Sequence, residues 1–183
     1  MLQTQLSRHL LIINSAGLLA CAVFSYSFRD TLLLLLLLFL PFLDRAGSFQ
    51  LAQKYKNQLV LNLTVIALIA VICLIRPQAM DLIPAVFFLT ALPEEWFFRA
   101  YFMQRIEALY GSPLKANLIS SAVFTVLHLP VQGLMGLSVF LPSLLFGWLY
   151  QQKKDFLLVV LLHLLFNLVF IVLVKYWLVK ILM

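Results

Sequence analysis

The chain has 183 residues, of which 64% are hydrophobic and only 11% are charged. A soluble domain has about 45–50% apolar and about 25% charged residues, so one water-soluble core cannot hide this apolar excess. The net charge of +6 does not indicate nucleic-acid binding, because the basic residues are dispersed along the chain. Composition therefore predicts a polytopic integral membrane protein with no nucleic-acid partner.

The chain contains a series of apolar runs, and a membrane-spanning helix needs about 20 mainly apolar residues. In chain order the runs are 10–28, 31–43, 59–75, 82–106, 117–131, 136–150 and 156–179. The second run is short, which favours a tilted helix, pairing with part of the preceding run, or local thinning of the bilayer. We predict an all-α bundle of about seven membrane helices (six to eight), forming a single domain over residues 1–183.

The charges between these runs predict an orientation. Arg8, the polar segment 44–58, the 105–115 region and the Lys153-Lys154 turn fall on one side of such a bundle. The intervening connections at 29–30 and 76–81 are nearly charge-balanced. Because lysine and arginine are enriched in cytoplasmic loops, the pattern predicts a cytoplasmic N-terminus.

Three ionisable residues lie inside the run 82–106, namely Glu94, Glu95 and Arg99. A charge at mid-membrane costs at least about 2.5–3.5 kcal/mol and usually marks function. Glu95 and Arg99 are four residues apart on a helix, so they can neutralise each other, whereas Glu94 lies about 100° away. We expect Glu94 to be the residue available for chemistry. Pro93 either begins a helix here or kinks one long helix.

The other polar residues within apolar runs are His128, His163 and Asn167, the last two on one helical face. Each alone could be a packing residue or an interhelical hydrogen bond. Together with Glu94 they could supply a base, a residue that orients it and two donors to an oxyanion. Alternatively, Glu94, His128 and His163 could bind zinc and leave one position open for water.

These residues form three ordered motifs. Glu94-Glu95 with Arg99 matches EExxxR, Phe124 with His128 resembles FxxxH, and His163 with Asn167 resembles HxxxN. The pattern resembles the CAAX-protease and bacteriocin-processing family of intramembrane proteases, over about residues 82–175. The resemblance implies an all-helical membrane fold with a catalytic cavity inside the bilayer.

Carried over by position, the resemblance implies that Glu94 activates water with help from His128, that His163 and Asn167 stabilise the oxyanion, and that Glu95 and Arg99 support the motif. We favour this glutamate mechanism without a cofactor over the zinc alternative. The chain departs from the family at Ala100, where glycine is common, and residues 1–80 contain no recognisable motif.

The expected partners are the lipid bilayer and a membrane-anchored protein or peptide, which could be a CAAX-type, sorting-tag or bacteriocin-like substrate. The expected location is a bacterial inner membrane. The main alternative is a non-catalytic peptide-binding or immunity protein that uses the same cavity. A small transporter is disfavoured because no repeated polar positions occur across the runs.

Overall fold

The structure is a computed structural model that describes residues 14, 17–18, 21, 27–44 and 57–174. This part of the chain is helical and has no β-strand, which confirms the predicted all-α class. Most of the predicted first span, 10–28, lies outside the described residues. So do Arg8, the basic part of segment 44–58 and the end of the last predicted run.

Six helices follow one another in the described chain after residue 27. Five of them are α1 (Arg29–Leu43), α2 (Gln58–Ile75), α4 (Pro113–Gln132), α5 (Phe140–Lys153) and α6 (Phe156–Leu168, continued by Val169–Val174). Each contains most of one predicted apolar run. The sixth, α3, covers the run that contains the two glutamates.

The helix α3 is continuous over residues 79–110, although its hydrogen-bond pattern changes along its length. It comprises Ala79–Val86, Phe87–Ala91, Leu92–Glu95, Trp96–Met103 and Gln104–Tyr110, of which the second and fourth are π-helical. The backbone at Ala91 is helical (φ −60°, ψ −48°), and the Leu92 N–H donates to the Phe87 carbonyl. Pro93 therefore lies within a long helix rather than at a helix start.

The wider turns have a local cause. Proline has no N–H, so a carbonyl one turn earlier loses its usual donor, and a shift to i→i+5 bonding redistributes the remaining donors. Because α3 continues on both sides of Pro93, Glu94 and Glu95 are not at a free helix N-terminus. The dipole of a first turn therefore does not account for their placement.

Contacts between helices fix their directions. The Trp96 Nε1–H donates to the Leu38 carbonyl at 3.2 Å, and Arg105 Nε lies 2.7 Å from Asp44 Oδ2. Residue numbers rise together from the first contact to the second in both helices, so α1 and α3 run parallel. Gly111, with φ +64°, ends α3 and reverses the chain into α4. We call the end of the bundle where α1 starts end A, and the end where α1 finishes end B.

A second reversal joins α4 to α5 through a 3₁₀ segment, Gly133–Val139. The Asn117 amide donates to the Leu144 carbonyl at 2.9 Å, which places the start of α4 beside α5. A β-carbon on Gly147 would overlap the Asn117 side chain, so glycine permits this close packing. At the same end, the Asn62 amide of α2 donates to Asp155 at 3.1 Å, and Asp155 caps α6. The helices α2 and α6 therefore run parallel.

Two described helical stretches, Gln58–Ile75 and Pro113–Lys153, are long and apolar enough to cross a membrane, and Phe156–Val172 is a shorter apolar helix. The stretch Pro113–Lys153 contains the reversal just described, so it comprises α4 and α5. The predicted count of about seven membrane helices is not confirmed by the described part of the chain.

Candidate active site

The contact expected between Glu95 and Arg99 is present at the centre of the bundle. Arg99 Nε lies 3.0 Å from Glu95 Oε2, and neither side chain is more than 1% exposed. Arg99 also donates to Ser143 Oγ at 2.8 Å, to the Ser143 carbonyl at 3.1 Å and to Ser120 Oγ at 3.4 Å. One guanidinium thus connects α3 to α4 and α5, and its planar donors suit such multiple contacts.

His163 of α6 contacts both glutamates. Its Nδ1 lies 2.8 Å from Glu95 Oε1, and its Nε2 lies 3.5 Å from Glu94 Oε2. The Glu95 carboxylate already accepts from Arg99, so Nδ1 is the donor in the contact with His163. With an imidazolium at His163, the charges of Glu94, Glu95, Arg99 and His163 sum to zero. Neutral pairing of this kind is what buried charges require.

Glu94 and His128 line one cavity of about 440 Å³ between α1, α3 and α4. Its other lining residues are mainly apolar: Asp30, Thr31, Leu33, Leu34, Leu37, Leu89, Thr90, Phe98, Phe124, Leu127 and Val131. Glu94 Oε2 is buried and has no hydrogen-bond partner among the described residues. The 3.5 Å separation from His163 is too long for a good hydrogen bond. Glu94 therefore has an incompletely satisfied carboxylate, and its side chain, 17% exposed, borders a cavity in which water could contact it.

The ring orientation of His128 follows from its hydrogen bond. Nδ1 lies 2.8 Å from the Phe124 carbonyl, one helical turn earlier. A carbonyl can only accept, so Nδ1 carries a hydrogen, and Nε2 of the neutral ring has a free lone pair. The Phe124 ring also packs against the imidazole, with centroids 4.5 Å apart. The FxxxH spacing thus fixes the ring so that Nε2 of a neutral His128 can accept a hydrogen bond.

His163 and Asn167 line a second cavity of about 150 Å³. Phe124 and His128 line both cavities, so they form the wall between them. No hydrogen bond joins Asn167 to another residue of the described chain, and its amide is available to a ligand. The structure thus brings Glu94, Glu95, Arg99 and His163 into direct contact, whereas His128 and Asn167 join them through shared cavities.

Three contributing residues were not singled out from the sequence. Ser120 and Ser143 bind Arg99, and Gly136 lies against the backbone at His128. A β-carbon on Gly136 would lie 3.0 Å from the His128 carbonyl carbon. Their sequence signal is weak, because serine and glycine are common in membrane helices for packing reasons alone.

The side chains do not form a preformed zinc site. Among the described residues, no three His, Cys, Asp or Glu side chains come close enough to hold one metal ion. Both nitrogens of His163 already face carboxylate oxygens, so neither is directed at a vertex shared with His128. The set Glu94, His128 and His163 thus does not fit tetrahedral zinc in this arrangement.

Comparisons with known proteins give one family. The model of the family described as type II CAAX prenyl endopeptidase Rce1-like matches residues 56–169. Neither the curated proteins nor the solved structures contain a match. The matched range includes all seven motif residues and covers more than half of the chain. The chain belongs to the Rce1-like family of type II CAAX prenyl endopeptidases and is an integral membrane protein of the CAAX-protease class.

Proposed function

We propose that this protein is an intramembrane endopeptidase in which Glu94 and His128 activate water to cut a membrane-anchored protein or peptide. The observation that carries the proposal is that Glu94 and His128 line the same cavity, and that one buried carboxylate oxygen of Glu94 lacks a hydrogen-bond donor among the described residues. A structural carboxylate would have its oxygens satisfied, as those of Glu95 are.

In the proposed reaction, water between Glu94 and His128 gives a proton to Glu94 while its oxygen attacks the scissile carbonyl carbon. The carbonyl becomes an oxyanion in a tetrahedral intermediate. Collapse of that intermediate breaks the carbon–nitrogen bond, and the proton held by Glu94 passes to the leaving amine. His128, fixed through Nδ1, accepts a hydrogen bond from the water and orients it.

The oxyanion would lie toward the smaller cavity. Asn167 and His163 line that cavity. The Asn167 amide would donate to the developing charge, and so would His163 Nε2–H, whose 3.5 Å contact with Glu94 is too long to satisfy it. Phe124 and His128 separate the two cavities, so the scissile bond would lie at their common wall. Glu95 and Arg99 would act through position alone, because both are fully buried and face other protein groups.

The substrate would be an extended peptide segment close to a membrane anchor. The larger cavity is lined mostly by leucine, phenylalanine and valine, which suits apolar side chains or a lipid group. CAAX-type, sorting-tag and bacteriocin-like substrates all have such segments, and the cavity alone does not select among them.

The test compares two glutamates on the same helix. Glu94→Gln and Glu107→Gln make the same chemical change, but Glu107 lines neither cavity. In proteoliposomes with a membrane-anchored candidate substrate, Glu94→Gln should lower kcat by about 10²–10⁴-fold, the usual contribution of a general base. Glu107→Gln should retain activity. Unchanged cleavage by Glu94→Gln would refute the catalytic assignment, whereas binding of the peptide without cleavage by the parent protein would favour the peptide-binding alternative.

The zinc alternative has its own experiment on the same assay. A chelator series followed by zinc add-back should leave the rate unchanged if glutamate alone activates water. Loss of activity with recovery on zinc addition would instead assign the chemistry to a metal site that forms on substrate binding.

A further inference from the structure

Both cavities lie in the half of the bundle nearest end A. The larger one is lined by the first half of α1 and the last third of α4, and the smaller one by the segment 133–139 and the first half of α5. His128 is four residues from the end of α4, or about 6 Å, but about 22 Å from its start. Asp30, whose side chain is 86% exposed, marks the end A limit of the larger cavity.

The bundle is closed between the site and end B. Below the glutamates, α3 contributes a layer of fully buried side chains that includes Tyr101, Phe102, Met103 and Ile106. Beyond this layer, Arg105 pairs with Asp44, and the Gln104 amide donates to the Tyr150 hydroxyl at 2.9 Å. No residue of these contacts lines either cavity. Within the described residues, both cavities are therefore separated from end B, and the larger one extends to Asp30 at end A.

The basic residues are concentrated at the opposite end. Seven lysines and arginines belong to the connections at end B or the adjoining helix turns: Arg45, Lys54, Lys56, Arg105, Lys115, Lys153 and Lys154. The connections at end A have two in the corresponding places, Arg29 and Arg76, while Lys175 and Lys180, which follow α6 in the sequence, lie outside the described residues. A bias of this size places end B in the cytoplasm.

We propose that the catalytic cavity opens toward the non-cytoplasmic face of the membrane. This inference rests on the proposed function, and it narrows the substrate to a membrane-anchored protein or peptide whose scissile segment lies on the non-cytoplasmic side. Such a substrate has already been inserted or exported when it is cut, so the preceding step in its maturation is translocation across the membrane.

Cysteine labelling tests the orientation without any need for activity. Cys21 and Cys73 are first replaced by alanine, and single cysteines are introduced as Gln78→Cys at end A, Val131→Cys on the cavity wall and Lys153→Cys at end B. All three positions are exposed. A charged, membrane-impermeant thiol reagent is then applied to right-side-out spheroplasts and to inverted vesicles of a bacterial host, because thiolates react only where water reaches them.

The expected result is labelling of Gln78→Cys and Val131→Cys in spheroplasts and of Lys153→Cys in inverted vesicles. The reverse pattern overturns the proposal, and so does equal labelling of all three positions in both preparations. Labelling of Gln78→Cys but not Val131→Cys from outside also overturns it, since the cavity wall would then be closed to that face.

Two reporters connect the orientation to cleavage. Each reporter has one membrane anchor and carries the same randomised segment as the potential cleavage site. In the first reporter this segment lies on the non-cytoplasmic side of the anchor, and in the second it lies on the cytoplasmic side. Cleavage that Glu94→Gln abolishes should occur only in the first. Glu94-dependent cleavage of the second alone overturns the proposal. Absence of cleavage in both counts against the proposed function, while the labelling still decides which face the cavity meets.

Discussion

Glu94 and Glu95 are adjacent residues of the same type with different surroundings. Glu95 accepts from Arg99 and His163, and both of its oxygens are satisfied. Glu94 has one oxygen 3.5 Å from His163 and faces a cavity. The difference follows from the helix, which turns successive side chains about 100° apart, so that one enters the centre of the bundle and the other its cavity.

Arg99 offers a first prediction about folding. In Arg99→Met, Glu95 is left buried with His163 as its remaining partner, so the free energy of unfolding should fall by about 3–5 kcal/mol. The double variant Glu95→Gln/Arg99→Met removes both charges and should recover a large part of that loss. Thermal unfolding in detergent micelles measures both. A single variant as stable as the parent would show that Glu95 is not ionised.

Much of the site at this scale could be predicted from the sequence. The spacing of Glu95 and Arg99 predicted their contact, and that of His163 and Asn167 predicted a shared face, which the smaller cavity displays. The contact of His163 Nδ1 with Glu95 could not be predicted, because it depends on the depth at which α6 packs against α3. Sequence spacing carries no information on that depth.

At the scale of elements, α3 combines π-helical and α-helical turns around its glutamates. The π-helical segments Phe87–Ala91 and Trp96–Met103 flank Leu92–Glu95. Such turns are frequent at functional sites because they rotate the side chains that follow. A proline in a membrane helix predicts an irregularity at that point, but not which hydrogen bonds replace the lost one.

Pro93→Ala tests whether this irregularity aims Glu94. Alanine restores an N–H at position 93, which favours regular α-helical turns and a rotation of Glu94 relative to His128. A displacement of about 1 Å can lower a rate by about 10²-fold, so kcat should fall while the protein remains folded. Pro84→Ala, in the same helix but exposed and outside both cavities, is the matched control. Equal activity of the two variants would contradict this role for Pro93.

The segment Gly133–Val139 positions His128 by close backbone packing. In Gly136→Ala, the new methyl group would lie 3.0 Å from the His128 carbonyl carbon, so α4 or the segment must shift. We expect the free energy of unfolding to fall by about 1–3 kcal/mol. We also expect kcat to fall by a larger factor than the factor by which KM changes. Gly17→Ala should change neither, because nothing lies within 4 Å of a β-carbon there. If Gly136→Ala lowered stability but left kcat unchanged, Gly136 would be a packing residue with no role in positioning His128.

At the scale of the whole molecule, the apolar runs predicted the helices well, because a helix that lies in the bilayer must be apolar along most of its length. The break between the runs 117–131 and 136–150 predicted a connection there, and Gly133, with φ +57°, begins it, but the runs could not predict that this connection is a 3₁₀ segment. Nor could the runs predict that the cavities lie near end A, since this depends on how far α1, α3, α4 and α6 are shifted relative to one another along the bundle axis. Hydrogen bonds between helices, such as those of Leu38 with Trp96 and of Asn62 with Asp155, fix these relative positions.

The two ends of α1 should differ in what they contribute to stability. Asp44 at end B is 2% exposed in its side chain and pairs with Arg105, and it also accepts from the Tyr101 hydroxyl at 3.1 Å. Asp30 at end A is 86% exposed and pairs with its neighbour Arg29. Asp44→Asn should therefore lower the free energy of unfolding by about 1.5–3 kcal/mol, the range for hydrogen bonds to charged groups.

Asp30→Asn makes the same chemical change where water screens the charge, and it should alter stability by less than about 1 kcal/mol. Thermal unfolding of both variants in the same detergent provides the comparison. If Asp30→Asn destabilised the protein as much as Asp44→Asn, α1 would be held at both ends. The start of α1 could then not separate from α3 to admit a substrate, whereas a helix held at Asp44 and at the Leu38 carbonyl leaves its first turns free to move and widen the cavity.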